Sequence, residues 1–556
     1  MAHLRPLTEL PTHSVQNQPP AFEDVNLWSS DVALREAAER EGGGWARAEL
    51  EAFGERVGSA EVIAWGFEAN RNRPELIPFD RYGQRVDEVR YHPSYHALMR
   101  LGIEAGMPSV AWTSERGGHV AHSVFMYLMS QAEPGVCCPM SMTYAVVPAL
   151  RHQPELADDL VPKLTSRVYD PRFVPPAEKR GVTMGMAMTE KQGGSDVRAN
   201  TTKAHPVADG GPGGEYELVG HKWFCSAPMS DGFLTLAQAP GGLSCFFVPR
   251  WRPDGTRNPF FVQRLKDKLG DHANASSEIE YNGTWARMVG EEGRGVRTII
   301  EMVHHTRLDC IVAPAAMMRQ ALANASWHAA HRRAFGQILI DAPLMRGVLA
   351  DLAVESEAAT ALAMRVARSF DDSLLDGEAG ERARLFSRLA TPVTKYWLNK
   401  RLPEFVYEAM ECHGGAGYIE EGVMARVFRQ SPLNSIWEGS GNVICLDVLR
   451  AMGREPESVA ALIAELREAT GTDRRYDAFV GALADRFAKP IVEADARSLC
   501  EGLGVALQAS LLVRHAPGFV ADAFCAGRLA GEGRCYGTLP TGVDVDALVE
   551  RARPQV

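Results

Sequence analysis

Apolar residues recur at two different periods along this chain, and the change of period divides it into segments. Up to about residue 180 the spacing is helical: residues 32–52, 95–102 and 121–129 read as helices behind a polar, proline-containing lead. Pro171, Pro175 and Pro176 then interrupt the chain. From Gly181 the apolar runs shorten to residues 216–219, 233–237, 245–248 and 277–281, each bounded by Gly, Pro or Asn. Those runs predict the strands of a small β domain over about 181–290. Helical spacing returns at Gly295. Ile300, Val303, Ile311, Ala315 and Met318 mark one helix, with a local bend predicted at Pro314. Residues 352–370 mark a second helix, 385–410 a third, and 443–452 a fourth that Gly453 would stop. Four long helices in succession predict a bundle over 291–453. Amphipathic stretches at 459–469, 491–515 and 519–529 predict a further helical region over 454–556. The fold class expected is mainly α with a central β domain: N-terminal helices over 1–180, the β domain, the bundle, and the additional helices.

Composition narrows the setting. A chain of 556 residues with 46% apolar and 23% charged residues has room for two to four domains and resembles ordinary soluble proteins. No window approaches the uninterrupted apolar length of a membrane span. Residues 1–17 lack a secretory pattern. Ten cysteines without any Cys-x-x-Cys pair suit reduced thiols better than disulfides or zinc, so a cytoplasmic location is expected. His92 and His96 lack the Glu of a zinc-protease helix, and no metal is expected. A net charge of −11 argues mildly against a protein that coats nucleic acid, although one basic face remains compatible with it.

Three segments carry candidate chemistry. Residues 186–196 run from Met186 and Met188 through Thr189 to Gly193, Gly194, Ser195 and Asp196. The glycines and hydroxyls suit a polar or phosphorylated ligand beside an apolar wall, and equally a capped surface turn. Phe224, Cys225 and Ser226 close an aromatic strand that reads either as core or as one side of a site. Ile436, Trp437, Glu438, Gly439, Ser440, Gly441 and Asn442 place a carboxylate just before a helix. Taken locally, Glu438 is either a solvated, dipole-favoured group or a general base with a raised pKa.

In register, these segments resemble the acyl-CoA dehydrogenase flavoprotein family. Arg332, Arg333, Ala334, Phe335 and Gly336 match its Arg-x-x-Phe-Gly helix end, and residues 414–418 its double-glycine turn. Residues 12–20, 191–197 and 434–442, with the extra C-terminal helices, resemble the family's alkylation-response branch. The resemblance implies the acyl-CoA dehydrogenase fold, with a barrel-like middle domain, and FAD as cofactor. It places Met186, Met188, Thr189, Gly193, Gly194 and Ser195 along the isoalloxazine and phosphate arm, with Phe224, Cys225 and Ser226 opposite. Arg332 and Phe335 would reach the FAD of a neighbouring subunit in a homo-oligomer, usually a tetramer. Ile436, Trp437, Ser440 and Asn442 would form the loop at the flavin edge.

Glu438 falls where most of the family keeps its catalytic base, and Thr306 at the alternative base position on an earlier helix. The implied chemistry is α,β-dehydrogenation of an acyl-CoA, short or branched and slowly turned over: a carboxylate takes the α proton while hydride leaves to flavin N5. Thr306 and Arg450 are expected at the substrate pocket; Arg450 reads either as a pocket residue that would crowd a fatty chain or as a solvated charge at a helix C-terminus. Beside Thr306, His304 and His305 are read as packing or pocket-polarity residues. Pro343, Glu411 and Arg429-Gln430 depart from residues common in the family, so the cross-subunit grip on FAD is expected to differ. The branch also implies a role in the response to DNA alkylation, through double-stranded DNA bound by the C-terminal region. Residues 451–556 carry 12 Arg and Lys against 15 Asp and Glu, net −3, so their own charge gives that little support. A weak dehydrogenase and a DNA-protecting flavoprotein with vestigial or no activity are therefore the two readings; an FAD-holding scaffold is a third.

Overall fold

A computed structural model describes residues 7–487, 491–531 and 533–554. Residues 1–6, where the reading for a secretory signal begins, lie outside them. The helix predicted over 32–52 is two helices, α1 (Val32–Arg40) and α2 (Arg47–Val57), separated at Gly42 with φ 95°. Asp31 caps α1 by accepting from the Leu34 amide at 3.0 Å. There follow α3 (Ala60–Arg71), a hairpin of β1 (Glu75–Phe79) and β2 (Arg85–Arg90), α4 (Pro93–Ala105) and one-turn α5 (Val110–Thr113). Then come α6 (Gly118–Ala132), α7 (Pro134–Leu150) and α8 (Pro154–Leu164). Sequence periodicity misses α7 for a physical reason: nearly every one of its residues is buried, so it has no polar face to set a period, and it contains Pro139 and Pro148.

The middle segment forms β3 (Met184–Ala187), β4 (Lys203–Pro206), β5 (Glu215–Ser226), β6 (Gly232–Ala239), β7 (Gly242–Pro249), β8 (Phe260–Leu265) and β9 (Ser276–Val289). Pairing runs β6–β4–β5–β9–β7 and returns to β6, which closes a small barrel-like ring; β3 joins at β6 and β8 at β9. Inward-facing Tyr216, Leu218, Phe233, Phe246, Phe260 and Ile279 fill it.

Beyond the barrel, α9 (Gly295–His331) continues as helix straight through Pro314. It ends in a two-residue hairpin of β10 (Arg333–Ala334) and β11 (Gln337–Ile338). Next come α10 (Pro343–Asp372), α11 (Gly377–Glu411), one-turn α12 (Gly415–Tyr418), α13 (Val423–Gln430) and α14 (Gly441–Arg454). Gly453 does not stop α14; the helix breaks one residue later, where Glu455 precedes Pro456. The last region contains α15 (Pro456–Arg467), α16 (Arg474–Phe487), α17 (Ala496–His515), α18 (Gly518–Phe524) with a π turn, and α19 (Val545–Ala552). It shares one hydrophobic core with the N-terminal helices and the bundle. Buried ions tie it down as well: Arg528 bonds Asp351 and Glu355 of α10, and Arg401 of α11 joins the same Glu355. Among the described residues no helix is long and apolar enough to cross a membrane.

Candidate active site

The loop after β3 is organised from beneath by Glu190. Its buried carboxylate accepts from the Thr201 amide at 2.7 Å, the Thr202 amide at 3.1 Å, the Thr202 hydroxyl at 2.6 Å and Lys222 Nζ at 2.9 Å. Burial alone would raise its pKa, but Lys222 and these donors hold the carboxyl well below the ordinary carboxylate range. Burial pushes Lys222 down to about 8 against the pull of Glu190. With Glu190 fixed, the chain doubles back so that Gly194 lies on Thr189; a Cβ there would come within 2.3 Å of the Thr189 hydroxyl. Gly193, at φ 124°, has nothing within 4 Å of such a Cβ, so backbone is open to a ligand at that point. Thr189, Gly193, Gly194 and Ser195 thus share one turn, beside partly buried Met186 and Met188. Sequence reasoning gave no role to Glu190 or Lys222; a Lys inside an aromatic strand was the available signal.

Alternation along β5 separates the next three candidates. Phe224 is 50% exposed, whereas the Cys225 side chain is fully buried in the barrel core. Cys225 therefore faces away from the side that Phe224 and Ser226 share, and only its backbone is open to a ligand role. Ser226 Oγ lies 3.4 Å from Ser276 Oγ, and its hydroxyl is among the groups that bear on the Cys138 thiol of α7. The Cys138 thiol in turn feels the charge of Glu438, so β5, α7 and the loop before α14 converge.

Glu438 has φ 57°, a left-handed conformation that a residue with a long side chain adopts only when its surroundings impose it. Two buried cations impose it here. Lys395 Nζ of α11 donates to the Trp437 carbonyl at 2.8 Å and the Gly439 carbonyl at 2.5 Å. Arg307 Nε of α9 donates to the carbonyl of Glu438 itself at 3.0 Å. Three successive carbonyls are thereby pinned, and the carboxylate is turned onto the Thr306 hydroxyl at 2.8 Å. Burial raises the Glu438 pKa above its ordinary range, while Thr306, Arg307 and Lys395 pull it back. Asp447 lies 2.8 Å from Arg307 and 3.1 Å from Arg388, which neutralises much of the charge Arg307 brings. Lys395, pushed down to about 8 by burial, and Arg307 were not assigned from sequence; the one hint was a Lys inside the apolar run of α11.

Arg450 is exposed on the last turns of α14, 3.9 Å from Asp447, the carboxylate that also pairs with Arg307. Asn442 Oδ1 accepts from Arg497 of α17 at 2.9 Å, so the additional helical region reaches the loop. Trp437 Nε1 bonds Asn434 Oδ1 at 2.5 Å, Ile436 is 63% exposed, and Ser440 sits at the N-cap of α14 without a side-chain cap bond. Arg332 ends α9, and its guanidinium bonds the Asn17 carbonyl. Asn17 also clasps Arg333, accepting from its amide at 2.7 Å and donating to its carbonyl at 2.9 Å. Phe335 and Gly336 form the tip at φ 51° and 79°, and Phe335 is fully exposed. Where the family often has Asp after Arg429, Gln430 Oε1 instead accepts the Asp271 amide at 2.7 Å.

Comparison with known proteins gives a match in each of three segments of the chain. Residues 17–171 match the N-terminal domain of the adaptive response protein AidB, 185–284 the acyl-CoA dehydrogenase middle domain, and 293–453 the acyl-CoA dehydrogenase C-terminal domain. The chain is 43% identical to AidB of Escherichia coli (strain K12), over 92% of this chain and 94% of that protein. The chain belongs to the acyl-CoA dehydrogenase family, in its AidB branch. Acyl-CoA dehydrogenase family member 11 of Caenorhabditis elegans is 32% identical over 77% of this chain and 70% of its own length. The crystal structure of Caenorhabditis elegans ACDH-11 in complex with C11-CoA superposes with a TM-score of 0.84, at 27% identity, covering 95% of this chain and 96% of that one.

As an acyl-CoA dehydrogenase-like oxidoreductase the chain uses FAD, and its residues fit that cofactor. Phe224 and Ile436 leave apolar surface uncovered for a flat ring system, and the open backbone at Gly193 beside the Thr189 hydroxyl suits a polar arm.

Proposed function

We propose that this chain dehydrogenates an acyl-CoA thioester with Glu438 as the base that removes the α proton. The observation that carries this reading is the pinned left-handed backbone at Glu438, with its carboxylate held by Thr306 in a site that resists charge. A buried carboxylate is a better proton acceptor than a solvated one, because taking the proton relieves its desolvation. FAD, when bound, supplies the acceptor for the β hydrogen and its electron pair. Thr306 serves both protonation states of the base. Its hydroxyl is within reach of Glu438 and of the Val303 carbonyl at 3.1 Å, but has one proton. Ionised Glu438 accepts a hydrogen bond from that hydroxyl; once it has taken the substrate's α proton, Glu438 donates to Thr306 Oγ, whose own proton turns to the Val303 carbonyl.

The test is a pH profile of anaerobic reduction of the flavoprotein by a panel of acyl-CoAs. Since the base works ionised, reduction rises with pH through an inflection above the ordinary carboxylate range. Thr306→Val removes the bond that favours the ionised form, so the inflection moves higher. An inflection in the ordinary range, or one unmoved by Thr306→Val, removes the assignment.

The homo-oligomer belongs to the same reading. Phe335 on its hairpin, Leu344 and Tyr418 expose large apolar surfaces on the helical side of the molecule, and a second copy is the partner proposed for them. Phe335→Asp is expected to lower the oligomeric state in light scattering and to release flavin, with the helical content unchanged. The duplex-DNA reading is weaker, since Arg475, Arg486, Arg514, Arg528 and Arg551 of the last region are already paired with carboxylates. A steep decline of duplex affinity with salt would restore it.

A further inference from the structure

A cavity of about 420 Å³ opens at one end of the helical body, on a face of α9 that is not the one facing Glu438. His305 and Thr306 are adjacent, so their side chains diverge by about 100° around the helix; Thr306 turns to Glu438 and His305 to the cavity. The walls are rings. Trp112 lies 5.4 Å from His305 and 5.1 Å from His119, and Phe370 stacks on His304 at 4.5 Å.

Its polar atoms are arranged at two ends. At the inner end His305 Nδ1 donates to the Glu301 carbonyl at 2.8 Å. The carbonyl can only accept, so in the neutral ring Nε2 carries a lone pair on the side away from the helix. His119 Nδ1 lies 2.7 Å from the Tyr144 hydroxyl, which leaves its Nε2 edge to the cavity. Both imidazoles are neutral at physiological pH, since burial and neighbouring cationic partners hold their pKa values below the ordinary range. At the mouth, Glu301 is engaged by His152 at 2.9 Å and Arg384 by Glu381 and Glu455. Arg151 differs: it stacks over Trp112 at 5.2 Å and forms no ion pair among the described residues.

We infer that this cavity binds a single-ring hydroxyaryl carboxylate, its ring against the wall of aromatic and imidazole rings, its carboxylate on Arg151 and its hydroxyl between His119 and His305. A hydroxyl both donates and accepts, which two neutral imidazole edges can satisfy together, and a guanidinium stacked on an aromatic ring is a preferred carboxylate partner. The ligand occupies a site apart from the acyl site.

The experiment uses the full-length flavoprotein as purified, with 4-hydroxybenzoate and 4-hydroxycinnamate as probes and benzoate and hexanoate as comparisons. Titration calorimetry and tryptophan fluorescence are expected to show saturable binding of the hydroxylated probes, with benzoate weaker and hexanoate weaker still. Arg151→Gln, at an exposed position that leaves folding intact, is expected to weaken them about tenfold or more through loss of a charge-assisted pair. His305→Phe is expected to erase the preference for the hydroxyl while benzoate still binds. Hexanoate binding as tightly as the aromatic acids, affinity unchanged by Arg151→Gln, or competition between the probes and acyl-CoA overturns the proposal. Because the acyl site is read separately by flavin reduction, failure here leaves the Glu438 assignment standing.

Discussion

Glu438→Gln is expected to abolish reduction of the bound flavin by acyl-CoA, with a loss of about 10²–10⁴-fold, the usual contribution of a positioned general base. The substitution is nearly isosteric and keeps an oxygen for Thr306. The pinned carbonyls of Trp437, Glu438 and Gly439 do not involve the side chain, so the loop retains its conformation. Flavin content and acyl-CoA affinity should therefore change little, and the loss should lie in the chemical step. Stability provides an independent check of opposite sign. A carboxyl whose folded pKa is raised binds its proton more tightly in the folded state, so its ionisation lowers stability as pH rises through the ordinary and then the raised value. At neutral pH that cost is present in full. Glu438→Gln removes it and is expected to raise the neutral-pH unfolding midpoint, with no gain in acid below the ordinary carboxylate pKa. A variant that is inactive and also destabilised at neutral pH would indicate a structural Glu438.

Breaking the Lys222–Glu190 pair is expected to have the second large effect, this time on folding and flavin retention. Removing one member of a buried ion pair costs about 3–5 kcal/mol, because the other charge is left in a medium that cannot solvate it. The two members are not equivalent. Lys222→Met leaves Glu190 with the amides and hydroxyls of Thr201 and Thr202, so its cost falls near the lower end. Glu190→Ala leaves the Lys222 ammonium with only the Leu236 carbonyl, so Glu190→Ala is the more destabilising of the two. Urea unfolding measures the order, and the flavin-to-protein ratio after purification measures the loop, since Thr189, Gly193 and Gly194 take their positions from Glu190. The stability Glu190 supplies is complete above the ordinary carboxylate pKa and is lost as pH falls toward its depressed value. Equal costs for the two variants, or undiminished flavin in both, would refute this account.

Much of the architecture is legible in the chain because it depends on local periodicity. The alternating runs of the β domain coincide with β5, β6, β7 and β9, and the amphipathic runs with α9, α10, α11 and α14. Where periodicity is absent the chain is silent: α7 is buried on every side, and Gly42 to Gly44 break a helix without breaking its apolar spacing. Site residues divide in the same way. The glycines of the 189–195 loop, and Glu438 ahead of α14, stand in motifs of adjacent residues. Cys225 was misread only in its direction, because one step along a strand reverses the side chain. For Arg450 the sequence leaves both a pocket role and a solvated charge open, because the face of a helix that meets solvent is decided by what packs against it.

By itself, then, the sequence determined the family, the order of helices and strands, and the short motifs proposed to form a flavin site. Those are properties of neighbours along the chain. Only the tertiary structure decided that Lys395 and Arg307 hold Glu438 in a left-handed turn, that Asn17 clasps the hairpin after α9, and that six separate helices enclose a cavity walled by aromatic and imidazole rings. Each of those depends on side chains brought together from distant positions, where burial sets how strongly a charge, a hydroxyl or an imidazole edge acts, and burial is a property of the packed chain.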